Sequence, residues 1–275
     1  MDTLVAAVIM GTVQGLTEFL PVSSSGHLIL VPYLLGIKDP FINSLEFSVI
    51  LNIGTLAALL IYFLRDWTRL LVAFLATIRD RSLADDPDRR LALLVAVATV
   101  PALAVGFLLH DLEATIRQQV GLVAVMLVVG AAILWLAERS GSRRNVALDL
   151  SVPQALAIGA AQALALVPGI SRSGISISAG LFAGLRREEA ARFSFLMAIP
   201  VIAAASAYEV LQTIRGVGVP MQTGPLAAGL VASFVFGMLA IATLLRFLRT
   251  RSTDIFVVYR VILAVVVLVF WLNVG

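Results

Sequence analysis

Six apolar stretches of about 20 residues recur along this chain, at roughly 43–64, 90–109, 117–138, 189–211, 225–247 and 254–273. About 20 helical residues cross the hydrocarbon core of a bilayer, so each stretch is predicted to be a transmembrane helix. The fold class that follows is an all-α polytopic membrane protein. Composition agrees: 60% of residues are hydrophobic and 13% charged, which excludes a soluble globular domain. The 275 residues suffice for one integral membrane domain over 1–275. Cysteine is absent, which excludes disulfide and thiol chemistry. Residues 3–13 are apolar but lack a basic leader and a small-residue cleavage site, so no separate signal peptide is expected.

Four further apolar pieces are too short to cross. Residues 3–20 and 24–36 read as the arms of a re-entrant hairpin closed by Lys38-Asp39-Pro40, and Ser151 to Gly184 as a second hairpin broken around Pro168-Gly169. The two resemble each other. A slide of 148 pairs Gln14 with Gln162, Ser23 with Ser171, Ser25 with Ser173 and Gly26 with Gly174. A slide of 146 pairs Phe47-Ser48 with Phe193-Ser194 and Tyr62 with Tyr208. The repeats cover roughly 1–115 and 150–275, with three spans between the hairpins, so the second copy should be inverted.

Basic residues give an independent orientation. With the polar stretch 65–90 placed in the cytoplasm, Arg65, Arg69, Arg79, Arg81, Arg89 and Arg90 fall inside. So do Arg139, Arg143, Arg144, Arg186, Arg187, Arg192, Arg246, Arg249 and Arg251, leaving only Lys38, Arg117 and Arg215 outside. That is a strong positive-inside bias. Residues 67–78 within the polar stretch are expected to form an interfacial helix. Only Arg172 and Arg260 remain at membrane depth.

The chemistry concentrates in Gln14 to His27. Ionisable groups at membrane depth cost about 2.5–3.5 kcal/mol each on insertion scales and mark function. Gln14 and Glu18, four apart, share one helix face. Pro21 breaks that helix, and Ser23, Ser24 and Ser25 stand where the next should begin, as caps whose amides and hydroxyls suit an anion. Gly26 permits close backbone approach. In the second hairpin Pro168-Gly-Ile-Ser-Arg-Ser-Gly174 is the partner stretch, with Arg172 where the first hairpin has Ser24. Tip-to-tip hairpins would converge two helix N-termini near the midplane, and arginine adds a fork suited to phosphate oxygens.

The Gln14-x-x-x-Glu18 pair, the Pro21-Val-Ser-Ser-Ser-Gly-His27 run and Pro168–Gly174 resemble the signatures of the bacterial undecaprenyl-diphosphate phosphatase family, the bacitracin-resistance type. The similarity extends through Val100-Pro-Ala to Gly106 and Phe193 to Pro200. The family's first motif begins with Glu or Gln, here Gln14, and Ser25 stands where threonine is frequent.

The resemblance implies hydrolysis of polyprenyl diphosphate to the monophosphate and inorganic phosphate, which recycles the cell-wall lipid carrier and confers bacitracin resistance. It implies a bacterial plasma (inner) membrane protein whose site opens to the outer, periplasmic side. It also implies a divalent cation, Mg2+ or Ca2+, for which Glu18 and Gln14 are the candidate ligands. Glu18, His27, Ser24 and Arg172 are the candidate catalytic residues, with the nucleophile open between Ser24, His27 and water. Gln14, Ser23, Ser25, Gly26, Gly169, Ser171, Ser173 and Gly174 are expected to bind substrate. The expected partners are a polyprenyl diphosphate and membrane lipids, with no nucleic acid; a homodimer is open to the fold. The alternative is a transporter or flippase of a phosphorylated polyprenyl lipid, since inverted repeats with broken helices are also transporter architecture. Arg260 is expected to snorkel or pair, Asn52 to line the cavity, and His110-Asp111-Leu-Glu113 to be a solvated turn rather than a metal cluster.

Overall fold

The computed structural model describes residues 1–109, 119–216, 220 and 222–274. His110, Asp111, Glu113 and Arg117 therefore lie outside the described residues. Among the described residues the elements are α-helices with short 3-10 turns. The first hairpin is α1 (Thr3–Phe19) and α2 (Ser24–Leu35), followed by α3 (Leu45–Tyr62), α4 (Leu64–Asp80), α5 (Pro87–Leu108) and α6 (Val120–Ser140). The second hairpin is α7 (Val152–Ala163), a 3-10 turn at Leu164–Leu166 and α8 (Arg172–Phe182); α9 (Arg187–Ile214), α10 (Thr223–Leu248) and α11 (Asp254–Val274) complete the chain. Helices α3, α5, α6, α9, α10 and α11 are long and apolar enough to cross a membrane. The four hairpin arms are shorter: the 12 residues of α2 reach only about 18 Å at 1.5 Å per residue. This is a multi-pass membrane protein.

Local chemistry sets the boundaries. The carboxylate of Asp2 accepts from the Leu4 and Val5 amides and starts α1. Ser151 and Gln154 close a reciprocal capping box at the start of α7. Asp86 caps α5 by accepting from the Asp88 and Arg89 amides. The polar stretch after α3 is mostly helix: α4 follows directly through Phe63 and is strongly amphipathic. It buries Leu70 and Ala73 while Leu71, Val72, Leu75 and Ile78 stay exposed, as befits a helix lying in the interface.

Helix α1 lies along α10, and its repeat counterpart α7 lies along α5; α3 meets α9, and α6 meets α11. The pairing of α1 with α10 is thus repeated in that of α7 with α5, which is compatible with inversion. Equivalent glycines permit the two closest crossings. A methyl on Gly11 would come within 2.1 Å of the Gly229 carbonyl, and one on Gly159, its match 148 residues later, within 2.0 Å of the Ala98 carbonyl. Small residues at crossings are the usual means of membrane helix association. The largest apolar cluster ties α1, α3 and α9, where Phe19 meets Phe195 edge to face at 5.4 Å. At the end of α6, Glu138 is buried among Arg143, Arg187 and Thr253, which ties α6 to the starts of α9 and α11. The two hairpin tips are left facing each other within the bundle.

Candidate active site at the hairpin junction

Both hairpins turn on a serine in the same uncommon conformation. Ser23 has φ 77° and ψ 92°, and Ser171 has φ 77° and ψ 114°. Positive φ costs a non-glycine residue on the order of 1–3 kcal/mol and persists where surrounding structure enforces it. Here it lets each side chain fold back as an N-cap. Ser23 Oγ accepts from the Gly26 amide at 3.2 Å, and Ser171 Oγ from the Gly174 amide at 3.0 Å. The tips are also bonded to each other: Ser23 Oγ accepts from the Gly169 amide at 3.2 Å, and Ser173 Oγ donates to the Leu20 carbonyl at 2.9 Å. The Ser25 hydroxyl lies 3.4 Å from that of Ser23. Two helix N-termini, those of α2 and α8, therefore meet with the Gly26 and Gly174 amides capped and, among the described residues, the amides of Ser24, Ser25, Arg172 and Ser173 left for an anion.

Three candidate residues converge on the carboxylate of a fourth, Glu18. Glu18 is 6% exposed, and its Oε2 accepts from Ser24 Oγ at 2.5 Å and from Gln14 Nε2 at 2.9 Å, while Oε1 pairs with the Arg172 guanidinium from the other hairpin. Gln14 Nε2 also donates to Asn52 Oδ1 at 2.6 Å, which brings Asn52 to the site and orients the amide. Gln14 Oε1 is buried with no partner among the described residues. A nucleophile type, a base and a cation are in direct contact at the mouth of two helix N-termini.

His27 stands apart. Its Nδ1 lies 2.7 Å from the Ser23 carbonyl and its Nε2 2.7 Å from the Tyr259 hydroxyl, with the two rings stacked at 5.7 Å. The carbonyl can only accept, so Nδ1 carries a proton, and in the neutral ring Nε2 accepts from Tyr259. The imidazole thus braces the Ser23 turn from behind, and both nitrogens are engaged away from Glu18.

Arg260 neither snorkels nor pairs with a carboxylate among the described residues. It is wholly buried and donates to backbone carbonyls: Nε to Leu127 at 3.1 Å, Nη1 to Pro21 at 3.4 Å, and Nη2 to Gly169 at 2.7 Å and Ile170 at 3.0 Å. Sequence reasoning passed over Tyr259 altogether. An adjacent tyrosine and arginine at mid-depth in the last apolar stretch was the signal available. It also passed over the fate of Gln162, which is 2% exposed with neither amide atom partnered among the described residues.

Comparison with known proteins gives the family. Residues 7–266 match the family described as bacitracin resistance protein BacA. The chain belongs to that family. Among its curated relatives, the undecaprenyl-diphosphatase of Pelobacter propionicus is 45% identical over 261 residues, covering 94% of each chain. That of Rubrobacter xylanophilus is 45% identical over 270 residues, covering 97% of this chain and 98% of the relative. That of Methanosphaera stadtmanae is 40% identical over 278 residues, with 98% of each covered. The BacA match begins inside α1 and ends inside α11, so it takes in both hairpins and Arg260.

Proposed function

We propose that the protein hydrolyses undecaprenyl diphosphate to undecaprenyl phosphate and inorganic phosphate, and so confers bacitracin resistance by recycling the lipid carrier. The observation that carries the chemistry is the 2.5 Å bond from Ser24 Oγ to Glu18 Oε2, with Arg172 on the other carboxylate oxygen. A hydroxyl held on a buried carboxylate is a nucleophile with its base in place. Ser24 Oγ attacks the terminal phosphorus, its proton passes to Glu18, and the bond to the bridging oxygen breaks to release the lipid monophosphate. Protonation removes the charge that held Arg172, whose fork turns to the phosphoryl oxygens beside the free amides of α2 and α8. Water then cleaves the phosphoserine and Ser24 recovers its proton. His27 holds the Ser23 turn in shape throughout.

A divalent cation, Mg2+ or Ca2+, fits this site in part. No group of three or more carboxylates or histidines is assembled among the described residues, but the orphaned Gln14 Oε1 beside Glu18 is an oxygen donor without a partner. Hard cations are commonly held by one carboxylate completed by substrate phosphates. Glu18 and Gln14 would hold the ion, which would neutralise phosphate charge when bound.

The excess of arginines on one side of the spans supports an orientation with residues 65–90 in the cytoplasm, and the family resemblance supports a plasma-membrane protein whose junction opens outward. A reporter fused after residue 80 is expected to be cytoplasmic, and reporters near residue 38 and at the C-terminus external. Phosphate release from undecaprenyl diphosphate by the purified protein in detergent tests the function, because no gradient exists there and a carrier would be silent. Binding of the lipid without phosphate release would favour a flippase.

A further inference from the structure

The charges at the hairpin junction do not cancel. Glu18 and Arg172 pair with each other, which leaves Arg260 as the one ionised side chain there whose contacts, among the described residues, include no carboxylate. It is 0% exposed, so water does not screen it. Helix α11 is lipid-facing along most of its length, and the inward stripe that buries Arg260 otherwise holds only small or apolar residues such as Ala264 and Val267. Close packing seats the guanidinium against both tips. Methyl groups added at Gly130 and Gly174 would lie 2.0 Å and 3.0 Å from its nitrogens.

We infer that Arg260 is a positioning residue for the diphosphate, supplying the net positive charge of the junction from behind the tips. The inference rests on the reading that the diphosphate binds where Glu18, Arg172 and the two helix N-termini meet. The hydrogen bonds fit that role. In a trans peptide the carbonyl of one residue and the amide of the next point in opposite directions. By holding the Ile170 carbonyl, Arg260 turns the Ser171 amide away from itself, and its grip on Pro21, Gly169 and Ile170 fixes both tips to one point. A buried cation satisfied only by carbonyl dipoles keeps its field for whatever anion arrives. Arg172 and Arg260 then divide the work: the first is released to the transferring phosphoryl group, and the second attracts the diphosphate whether or not reaction follows.

The test compares Arg260→Gln, which removes the charge, with Arg260→Lys, which keeps it. The probe is farnesyl methylenebisphosphonate, a diphosphate lipid that cannot be cleaved; turnover is read with farnesyl diphosphate. Folded Arg260→Gln is expected to bind the probe at least tenfold more weakly and to raise KM by a similar factor, with kcat within about threefold, the pattern of lost uniform binding. Arg260→Lys is expected to stay within about threefold in affinity. Wild-type affinity in folded Arg260→Gln, or equal losses in Gln and Lys, would overturn the inference. If Gln does not fold, Lys decides alone: retained affinity upholds the assignment, and a tenfold loss or failure to fold gives Arg260 to the architecture only. A wild-type protein that does not bind the probe refutes the reading of the junction itself, and the inference with it.

Discussion

Hairpin one and hairpin two carry the same serine at the same backbone angle, capping the same glycine amide, yet differ in the side chains around it. Where the first repeat has Glu18, Ser24, His27 and, on the span that follows its hairpin, Asn52, the second has Leu166, Arg172, Ile175 and Ala198. The duplicated backbone makes the anion cradle, while the differences distribute its chemistry: base, hydroxyl and brace on one side, a cation on the other. The fate of the repeated glutamine shows what was lost. Gln14 donates to both Glu18 and Asn52, whereas Gln162, whose equivalents of those partners are leucine and alanine, has neither amide atom bonded among the described residues. Symmetric folding therefore produced an asymmetric site, and substitutions at matched positions should have unequal effects.

The largest inequality is expected at Glu18. Glu18→Gln keeps the shape and removes the base and the partner of Arg172, so kcat should fall by about 10²-fold or more, whereas Leu166→Gln should leave most turnover in place. Near-normal phosphate release from folded Glu18→Gln would reduce the Glu18–Arg172 pair to a structural tie between hairpins.

Next comes Arg172, the cation that replaces a serine of the first hairpin. Arg172→Lys keeps the charge and loses the fork, and should lower kcat and kcat/KM together by about 10- to 100-fold in folded protein. Arg172→Ala should also lower the melting temperature, because Glu18 is left charged and alone. The double change with Glu18→Ala should recover much of that stability. Full activity in folded Arg172→Lys would remove Arg172 from the catalytic residues.

The glutamine pair sharpens the comparison through stability. Gln14→Leu strips partners from Glu18 and Asn52 and should destabilise by about 1–3 kcal/mol, whereas Gln162→Leu removes an unbonded buried amide and should be neutral or stabilising. Equal destabilisation in thermal melts would mean that Gln162 has a partner after all.

The smallest effect belongs to a clasp that only the first hairpin has. The Thr3 hydroxyl donates to Asp39 at 2.6 Å, joining the start of α1 to the loop after α2. That bond, helped by the Phe41 and Ile42 amides against some desolvation, holds the Asp39 carboxyl below the usual carboxylate range. A depressed carboxylate stabilises the fold above its unfolded pKa of about 3.9 and loses that contribution as pH falls through the lowered value. Thr3→Val should therefore lower stability on the order of 0.5 kcal/mol near neutral pH, and the gap from wild type should close in acid. A gap that persists at the lowest pH would point to packing instead.

Hydropathy and local motifs determined much of this protein unaided. The six spans, the two broken hairpins, the internal repeat and the grouping of Gln14, Glu18 and the serines follow from apolar run length, proline placement and helical spacing, which act over a few residues. Tertiary structure alone decided which groups meet. No local rule places Arg172 on Glu18 across 154 positions, turns His27 away from that carboxylate onto Tyr259 232 residues later, or closes Arg260 around both hairpin tips. Those contacts depend on how α8 and α11 pack against the first hairpin. The physical reason lies in burial. A polar side chain inside a bundle must find partners wherever packing delivers them, so the sequence marks Arg260 as exceptional while its role is written in the carbonyls that surround it.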